Sequence, residues 1–170
     1  VYGAFLDDKG RTIDDAIVFF VETDSYMVVV NAGMGGAVAA HLQQHTGERD
    51  ATVVDLTDRL GKMDIQGPAA ARVLGQVLAD PKAVFSAMPY FSFKGHFDDT
   101  THLADVVRLD DGTPILLSRT GYTGEFGFEI FLAPDKIRIL WERLLAAGEA
   151  HKIRPCGLAA RDSLRAGAVL

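Results

Sequence analysis

Apolar and polar residues alternate in short blocks that predict a mixture of strands and helices. Residues 16–21 and 26–31 are β-branched and aromatic runs separated by the acidic turn ETDS, which predicts a hairpin of two inner strands. Behind a glycine pair, apolar residues then recur at helical spacing, and Gly47 is placed to end that helix. The first part of the chain therefore predicts the order strand, strand, helix.

The same order returns in the second part of the chain. Residues 115–118 and 126–132 have the composition of strands. A helix is predicted to begin behind Pro134, because a proline and an aspartate suit the start of a helix. A final helix is predicted to open near Gly157.

The segment between these two parts, residues 61–78, predicts a short strand, a Gly-Pro turn and a helix. The apolar residues that share one face of this helix are Ala69, Val73, Leu74 and Leu78. Together the elements predict an α+β fold with two ββα-like units and mostly antiparallel sheets, since hairpin-length links cannot join parallel neighbours. Possible subdomains are residues 1–60 and 61–170.

Composition excludes several classes of function. A chain of 170 residues with 48% hydrophobic content can bury one core or two small ones. A net charge of −6, without a Lys/Arg-rich segment, argues against a nucleic-acid partner. Cys156 is the only cysteine, so we expect no internal disulfide, which fits a reducing cytoplasm best. The sequence has no CxxC motif or Cys/His cluster for zinc or an iron–sulfur centre, so we expect no metal site. Polar residues interrupt the most apolar stretch, residues 16–30, so we expect no membrane span.

Candidate chemistry concentrates in RTGYTGEFGFEI, residues 119–130. A strand from Phe126 places Glu129 on the same face as Gly127, beside a position without a side chain. A carboxylate next to such an open slot matches the N–H pair of an amidine-like edge, which a pterin carries. The alternative is a solvated strand carboxylate, with glycines that serve only turns or a β-bulge.

Other polar residues stand at the ends of apolar runs. Asp14 and Asp15 precede an apolar strand, so at least one carboxylate lies at the start of a buried strand. At that position it could accept a proton or stabilise a cation. The alternative is a turn-forming aspartate pair. Asn31 ends its strand, where an amide is typical of a cap or Asx turn. Arg161 and Arg165 lie one helical turn apart, which favours surface salt bridges.

Five blocks of sequence occur in an order that identifies a family. The blocks are GRTIDD (10–15), VVNA (29–32), IQGP (65–68), RTGYTGEFGFE (119–129) and PCGLAARDSLR (155–165). They resemble the glycine cleavage system T-protein (aminomethyltransferase) family and its tetrahydrofolate-binding relatives. The resemblance runs from Tyr2 to about Arg165 and implies a fold with a central folate cavity. It also implies an internal fragment, residues 1–170, without the family's N-terminal segment and C-terminal β domain.

The resemblance implies folate-dependent one-carbon transfer in glycine catabolism. Such an enzyme moves the aminomethyl carbon from a lipoylated carrier protein, the H-protein, to tetrahydrofolate as cosubstrate and releases ammonia. Two alternatives stay open. The protein could be a folate-dependent demethylase of a small methylated amine or sulfonium, or a non-catalytic folate-binding module.

The resemblance also implies residue roles. Asp15 is the expected catalytic carboxylate, which would assist attack by a folate amine and stabilise a cationic intermediate. Glu129 is expected to bind the amino and ring N–H edge of the pterin. The expected folate-binding residues are Tyr2, Asn31, Tyr90, Phe91, Tyr122, Glu129 and Arg161.

Overall fold

A computed structural model describes residues 1–98 and 106–170. The described residues fall into two units, Val1–Arg59 and Leu60–Leu170. Each unit contains one sheet, and the strands pair antiparallel in both. The α+β class with antiparallel sheets is therefore confirmed.

The unit Val1–Arg59 is a three-stranded sheet followed by a helix. Its elements are β1 (Tyr2–Leu6), β2 (Thr12–Glu22), β3 (Ser25–Val30) and α1 (Gly35–Thr46). The predicted hairpin is confirmed as β2 and β3, and Gly47 follows the end of α1 with a φ of 56°. The prediction of two inner strands is wrong for β3, because β2 is central in the order β1-β2-β3. An apolar run does not distinguish a central strand from a half-buried edge strand.

The unit Leu60–Leu170 is a four-stranded sheet with helices. Its elements are β4 (Gly61–Gln66), α2 (Ala70–Leu74), α3 (Pro81–Phe85), β5 (Phe93–Lys94), β6 (Leu116–Ser118), β7 (Gly127–Leu132), α4 (Pro134–Gly148) and α5 (Leu158–Gly167). The strand order is β4-β7-β6-β5, so β7 has a hydrogen-bonded strand on both sides. Among residues 1–98 and 106–170, no helix is long and apolar enough to cross a membrane.

The sequence pattern predicted where two helices begin and predicted a third helix as too long. The helix behind Pro134 and the helix after Gly157 are confirmed as α4 and α5. The helix after the Gly-Pro turn is shorter than predicted, because α2 ends at Leu74. Leu78 instead pairs with Leu109 in an isolated bridge, and turn residues return it to the same core. Leu74 and Leu78 are therefore both buried at helical spacing, although no continuous helix joins them.

The core of the second unit lies against one face of its sheet. Phe128, Ile130 and Leu132 of β7 pack there together with Leu140 and Leu144 of α4. Successive strand residues point to opposite faces, so the residue between Phe128 and Ile130 is on the other face. The alternation of β7 thus separates the apolar core from a polar row.

Candidate functional site

Two side chains of the first unit hold the carboxylate of Asp15. The hydroxyl of Tyr2 donates to Oδ2 of Asp15 at 2.6 Å, and Nδ2 of Asn31 donates to Oδ1 at 2.8 Å. The sheet brings them together, because Tyr2 lies opposite Ile17 and Asn31 directly follows Val30, which lies opposite Ala16. Both carboxylate oxygens of Asp15 therefore accept a side-chain hydrogen bond. We call Tyr2, Asp14, Asp15 and Asn31 the Asp15 cluster.

These hydrogen bonds favour the ionised form of Asp15. The Tyr2 hydroxyl is the largest cause that holds the pKa of Asp15 below its ordinary value, burial opposes this shift, and the Asn31 amide adds to it. Both donors are neutral groups, so they leave the negative charge of Asp15 uncompensated. A carboxylate of this kind can stabilise a cation or accept a proton.

Asp14 is the more buried carboxylate of the pair, with 7% of its surface exposed. Its Oδ2 accepts from the backbone N–H of Asn31 at 3.0 Å, and its Oδ1 accepts from Nδ2 of Asn31 at 2.8 Å. Asp14 therefore orients Asn31, which in turn contacts Asp15. The two aspartates lie inside β2, so the alternative of a turn-forming pair is wrong.

A second polar cluster surrounds Glu129 in β7. Glu129 is buried, with 8% of its surface exposed. The ammonium of Lys62 lies 2.5 Å from its Oε1, and the hydroxyl of Thr120 donates to its Oε2. Lys62 also contacts Oδ1 of Asp64 at 2.8 Å, and the hydroxyls of Ser118 and Thr120 are 2.7 Å apart. We call these five residues the Glu129 cluster.

Strand register assembles the Glu129 cluster. Asp64 of β4 and Ser118 of β6 both lie opposite Glu129, which places the three side chains in one row across the sheet. Lys62 stands two residues before Asp64 and so points to the same face. Burial lowers the pKa of Lys62, but the charges of Glu129 and Asp64 outweigh burial and hold the pKa above its ordinary value. Lys62 therefore keeps its positive charge at neutral pH.

The predicted open slot beside Glu129 is filled. A Cβ on Gly127 would overlap the carboxamide of Gln66 and would lie 2.5 Å from the carbonyl oxygen of Ile65. A Cβ on Gly121 would lie 2.6 Å from Nε2 of the same carboxamide. Nε2 of Gln66 donates to two backbone carbonyls at 3.2 Å, while its Oε1 is buried without a partner among the described residues. Both glycines thus make room for Gln66, so the prediction of an empty position is wrong.

Tyr122 lies beside two arginines of α5. The guanidinium carbons of Arg161 and Arg165 are 5.8 and 5.5 Å from the centre of its ring. Asp162 pairs with both arginines, at 3.7 and 3.1 Å, so the predicted salt bridging on this helix is confirmed. Nε of Arg161 is buried and has no hydrogen-bond partner in the described part of the chain. The structure therefore brings Tyr122 and Arg161 together.

Tyr90 and Phe91 form an aromatic corner before β5. Their rings meet edge to face with 4.8 Å between centres, and Phe91 has a φ of 61°. The guanidinium of Arg119 lies 5.7 Å from the Tyr90 ring and 4.0 Å from the Phe126 ring. The backbone N–H of Phe91 donates to the carbonyl of Arg119 at 3.1 Å, which ties this corner to the strand end after β6.

Three polar residues of these clusters were not predicted as candidates: Lys62, Thr120 and Arg119. Arg119 and Thr120 stand inside the RTGYTG motif, so the motif itself was a signal for both. Lys62 gave no such signal, because its position beside Glu129 follows from the register of β4 on β7. Within the described ranges, no group of three or more His, Cys, Asp or Glu side chains could hold a metal ion.

Comparisons with known proteins agree with one another over the whole chain. The family model described as "GCVT N-terminal domain" matches residues 1–170. An aminomethyltransferase of Bacillus cereus is 36% identical over 169 residues, which are 99% of this chain and 42% of that protein. The aminomethyltransferase of Alkaliphilus oremlandii is 35% identical over 170 residues and is also covered to 42%. The chain thus spans less than half the length of these curated relatives.

Two solved structures resemble the chain. The glycine cleavage system aminomethyltransferase T from Bartonella henselae matches with a TM-score of 0.71 and 31% identity, over 99% of this chain and 40% of that one. A heterotetrameric sarcosine oxidase from Corynebacterium sp. U-96 matches with a TM-score of 0.52 and 19% identity, over 85% of this chain and 64% of that one. The second likeness concerns the fold alone.

Proposed function

The chain belongs to the family of the GCVT N-terminal domain, and we propose on this basis that it is the folate-binding part of an aminomethyltransferase. The relatives named aminomethyltransferase are about one-third identical over nearly the whole chain, which supports the proposal. In the proposed reaction the aminomethyl carbon exchanges its bonds to the carrier sulfur and to its own amine nitrogen for bonds to two nitrogens of tetrahydrofolate. The reduced lipoyl thiol and ammonia take up the two folate protons and are released. The carrier protein (H-protein), glycine catabolism and a cytoplasmic location are parts of the same proposal.

The Asp15 cluster is the observation that carries this function. Positive charge develops as an aminomethyl group loses ammonia, and an ionised carboxylate that is already oriented stabilises such charge. Asp15 is ionised, and its two oxygens are oriented by Tyr2 and Asn31. We assign Asp15 the catalytic role and Tyr2 and Asn31 the role of holding its carboxylate in place.

Glu129 fits the proposed recognition of the pterin. A pterin presents an amino group next to a ring N–H, and a buried carboxylate accepts both in one plane. The chemistry of the site agrees with this group, because Glu129 is a buried acceptor. Thr120, which holds Oε2, has the hydroxyl of Ser118 within 2.7 Å as another partner. The Thr120 hydroxyl therefore has an alternative partner when a ligand takes Oε2 of Glu129.

Exposed aromatic rings supply the remaining proposed folate contacts. Aromatic faces stack on flat heterocycles, and a cationic guanidinium suits the carboxylates of a folate tail. The residues proposed for these contacts are Tyr2, Tyr90, Phe91, Tyr122 and Arg161. Each of the four aromatic side chains is between 44% and 62% exposed, so its ring is accessible.

The test of the proposed function is an Asp15→Asn substitution in the full-length protein. The amide keeps the size of the side chain but removes its charge, so turnover should fall on the order of 100-fold or more while tetrahydrofolate affinity stays within about twofold. Ammonia release from an aminomethyl-lipoyl carrier measures turnover. Asp8→Asn is the matched control, because Asp8 is an exposed aspartate of the same unit.

The same assay tests which molecule donates the one-carbon group. Ammonia release that requires the aminomethyl-lipoyl carrier supports the proposed aminomethyltransferase. Turnover of a free methylated amine without the carrier would instead support a demethylase. Unchanged turnover in the Asp15→Asn variant would remove Asp15 from the catalytic role.

A further inference from the structure

Lys62 occupies the position on Glu129 that a ligand with an N–H pair needs. Such a ligand uses both carboxylate oxygens, and the Lys62 ammonium is 2.5 Å from Oε1. The Thr120 hydroxyl on Oε2 can turn toward Ser118, but a charged ammonium has to find another anion. The Lys62–Glu129 ion pair is therefore the contact that competes most directly with a ligand.

Asp64 provides that second anion. Its Oδ1 already lies 2.8 Å from the Lys62 ammonium, and its side chain is 33% exposed. The Lys62 side chain is 37% exposed, whereas that of Glu129 is only 10% exposed. Lys62 can thus leave the buried carboxylate, keep an ion pair with Asp64 and gain water. The exchange leaves Glu129 as a buried acceptor for an incoming N–H pair.

We propose that Lys62 is a specificity-determining residue that competes with the pterin edge for Glu129 and moves onto Asp64 when the ligand binds. The inference rests on the proposed folate function of Glu129. In this role Lys62 selects ligands whose N–H pair replaces its ammonium on Glu129, because a ligand without donors would leave the buried Glu129 carboxylate unpaired. Lys62 therefore lowers the affinity of the true ligand modestly and that of ligands without such an edge much more.

The inference predicts opposite effects for two neighbouring substitutions. Lys62→Met removes the competitor and should tighten tetrahydrofolate binding about fivefold, as expected for loss of a partly exposed ion pair. Asp64→Asn removes the second anion and should weaken binding about threefold. Lys62→Arg keeps the cation and should stay within about twofold of the unsubstituted chain. If Lys62 had only a structural role, both Lys62→Met and Asp64→Asn would bind tetrahydrofolate more weakly.

The experiment is a calorimetric titration of the 170-residue chain and these variants with tetrahydrofolate under anaerobic, reducing conditions. Circular dichroism checks that each variant is folded, and Lys62→Gln replaces Lys62→Met if the latter unfolds. Tighter binding by the Lys62 variant with weaker binding by the Asp64 variant supports the inference. If the unsubstituted chain binds tetrahydrofolate and the Lys62→Met variant binds it equally or more weakly, the inference about Lys62 is wrong while the proposed folate site stands. Absence of binding in every folded chain overturns the proposed folate site and the inference with it.

Discussion

At the scale of single residues, the two candidate carboxylates are held in different electrostatic environments. Asp15 accepts hydrogen bonds from the neutral side chains of Tyr2 and Asn31, so its charge stays available to a cation. Glu129 pairs with the ammonium of Lys62, so its charge is compensated until that ammonium moves. The first arrangement suits charge stabilisation during a reaction, and the second suits recognition of an N–H donor pair.

Tyr2→Phe should raise the pKa of Asp15 toward its ordinary value, because the Tyr2 hydroxyl is the largest cause of the lowered pKa. A lowered folded-state pKa contributes stability above the unfolded-state pKa, and this contribution is lost as pH falls through the folded-state pKa. The variant should therefore lose less stability than the unsubstituted chain on acidification. Carbon NMR of the Asp15 carboxyl during a pH titration measures the shift. Tyr26→Phe is the control, and equal pKa values in both variants would contradict the assignment.

Glu129→Gln should lower the pKa of Lys62. Burial already lowers this pKa, and the substitution removes one of the two negative charges that outweigh burial. A raised folded-state pKa contributes stability below the unfolded-state pKa, which is lost as pH rises through the folded-state pKa, so the variant should lose less stability at high pH. NMR of the Lys62 side chain during an alkaline titration provides the measurement. A Lys62 pKa that does not change would mean that the ion pair is absent in solution.

At the scale of elements, β7 organises the second unit because it is paired on both sides and buried along its length. Its odd and even positions serve different purposes. Phe128, Ile130 and Leu132 build the core, while Glu129 joins the polar row on the other face. Gly127 begins the strand beneath the carboxamide of Gln66, so the start of β7 is tightly filled.

Gly127→Ala should lower the free energy of unfolding by about 1 to 3 kcal/mol, the usual cost of overpacking. The added methyl would meet the Gln66 carboxamide and the Ile65 carbonyl oxygen. Gly3→Ala is the matched strand control, because a Cβ at Gly3 meets nothing within 4 Å. Urea denaturation of both variants measures the difference. Equal losses of stability would show that the Gln66 carboxamide moves aside at little cost.

Local pattern predicted the elements far better than their pairing. Runs of β-branched and aromatic residues located β2, β3 and β7, Gly47 marked the end of α1 and Pro134 marked the start of α4, since these signals act within a few residues. The register of β4 on β7 depends on residues far apart in sequence, so the contact between Lys62 and Glu129 was not predictable. For the same reason the sequence showed Gly127 as open space, although Gln66 from β4 fills it.

The candidate site was likewise predicted only in part. Tyr2, Asp15 and Asn31 were each expected as site residues through the family resemblance, and the sheet brings the three together, but their hydrogen bonds to one another were not predicted. The burial of Asp14 and its hydrogen bonds to Asn31 were not predicted, because two adjacent aspartates look alike in sequence. The roles of these residues in folate chemistry stay predictions until they are tested.

At the scale of the whole molecule, an acidic chain carries two polar clusters that belong to two units. The Asp15 cluster lies in Val1–Arg59, and the Glu129 cluster lies in Leu60–Leu170. The net charge of −6 suits small-molecule or protein partners better than nucleic acid. Because the chain covers 42% of its curated relatives, the activity of the full-length protein is tested on that protein, whereas folate binding can be tested on this chain.

The measurement that tests the central claim most directly is a calorimetric titration of the 170-residue chain with tetrahydrofolate, beside its Glu129→Ala variant. We expect saturable binding that weakens more than about tenfold in the variant, a loss of roughly 1.4 kcal/mol, because a buried acceptor of the pterin edge is removed. Glu125→Ala is the control, since Glu125 is an exposed carboxylate of the same motif. A folded chain that does not bind, or that binds equally well without Glu129, would contradict the proposed folate site.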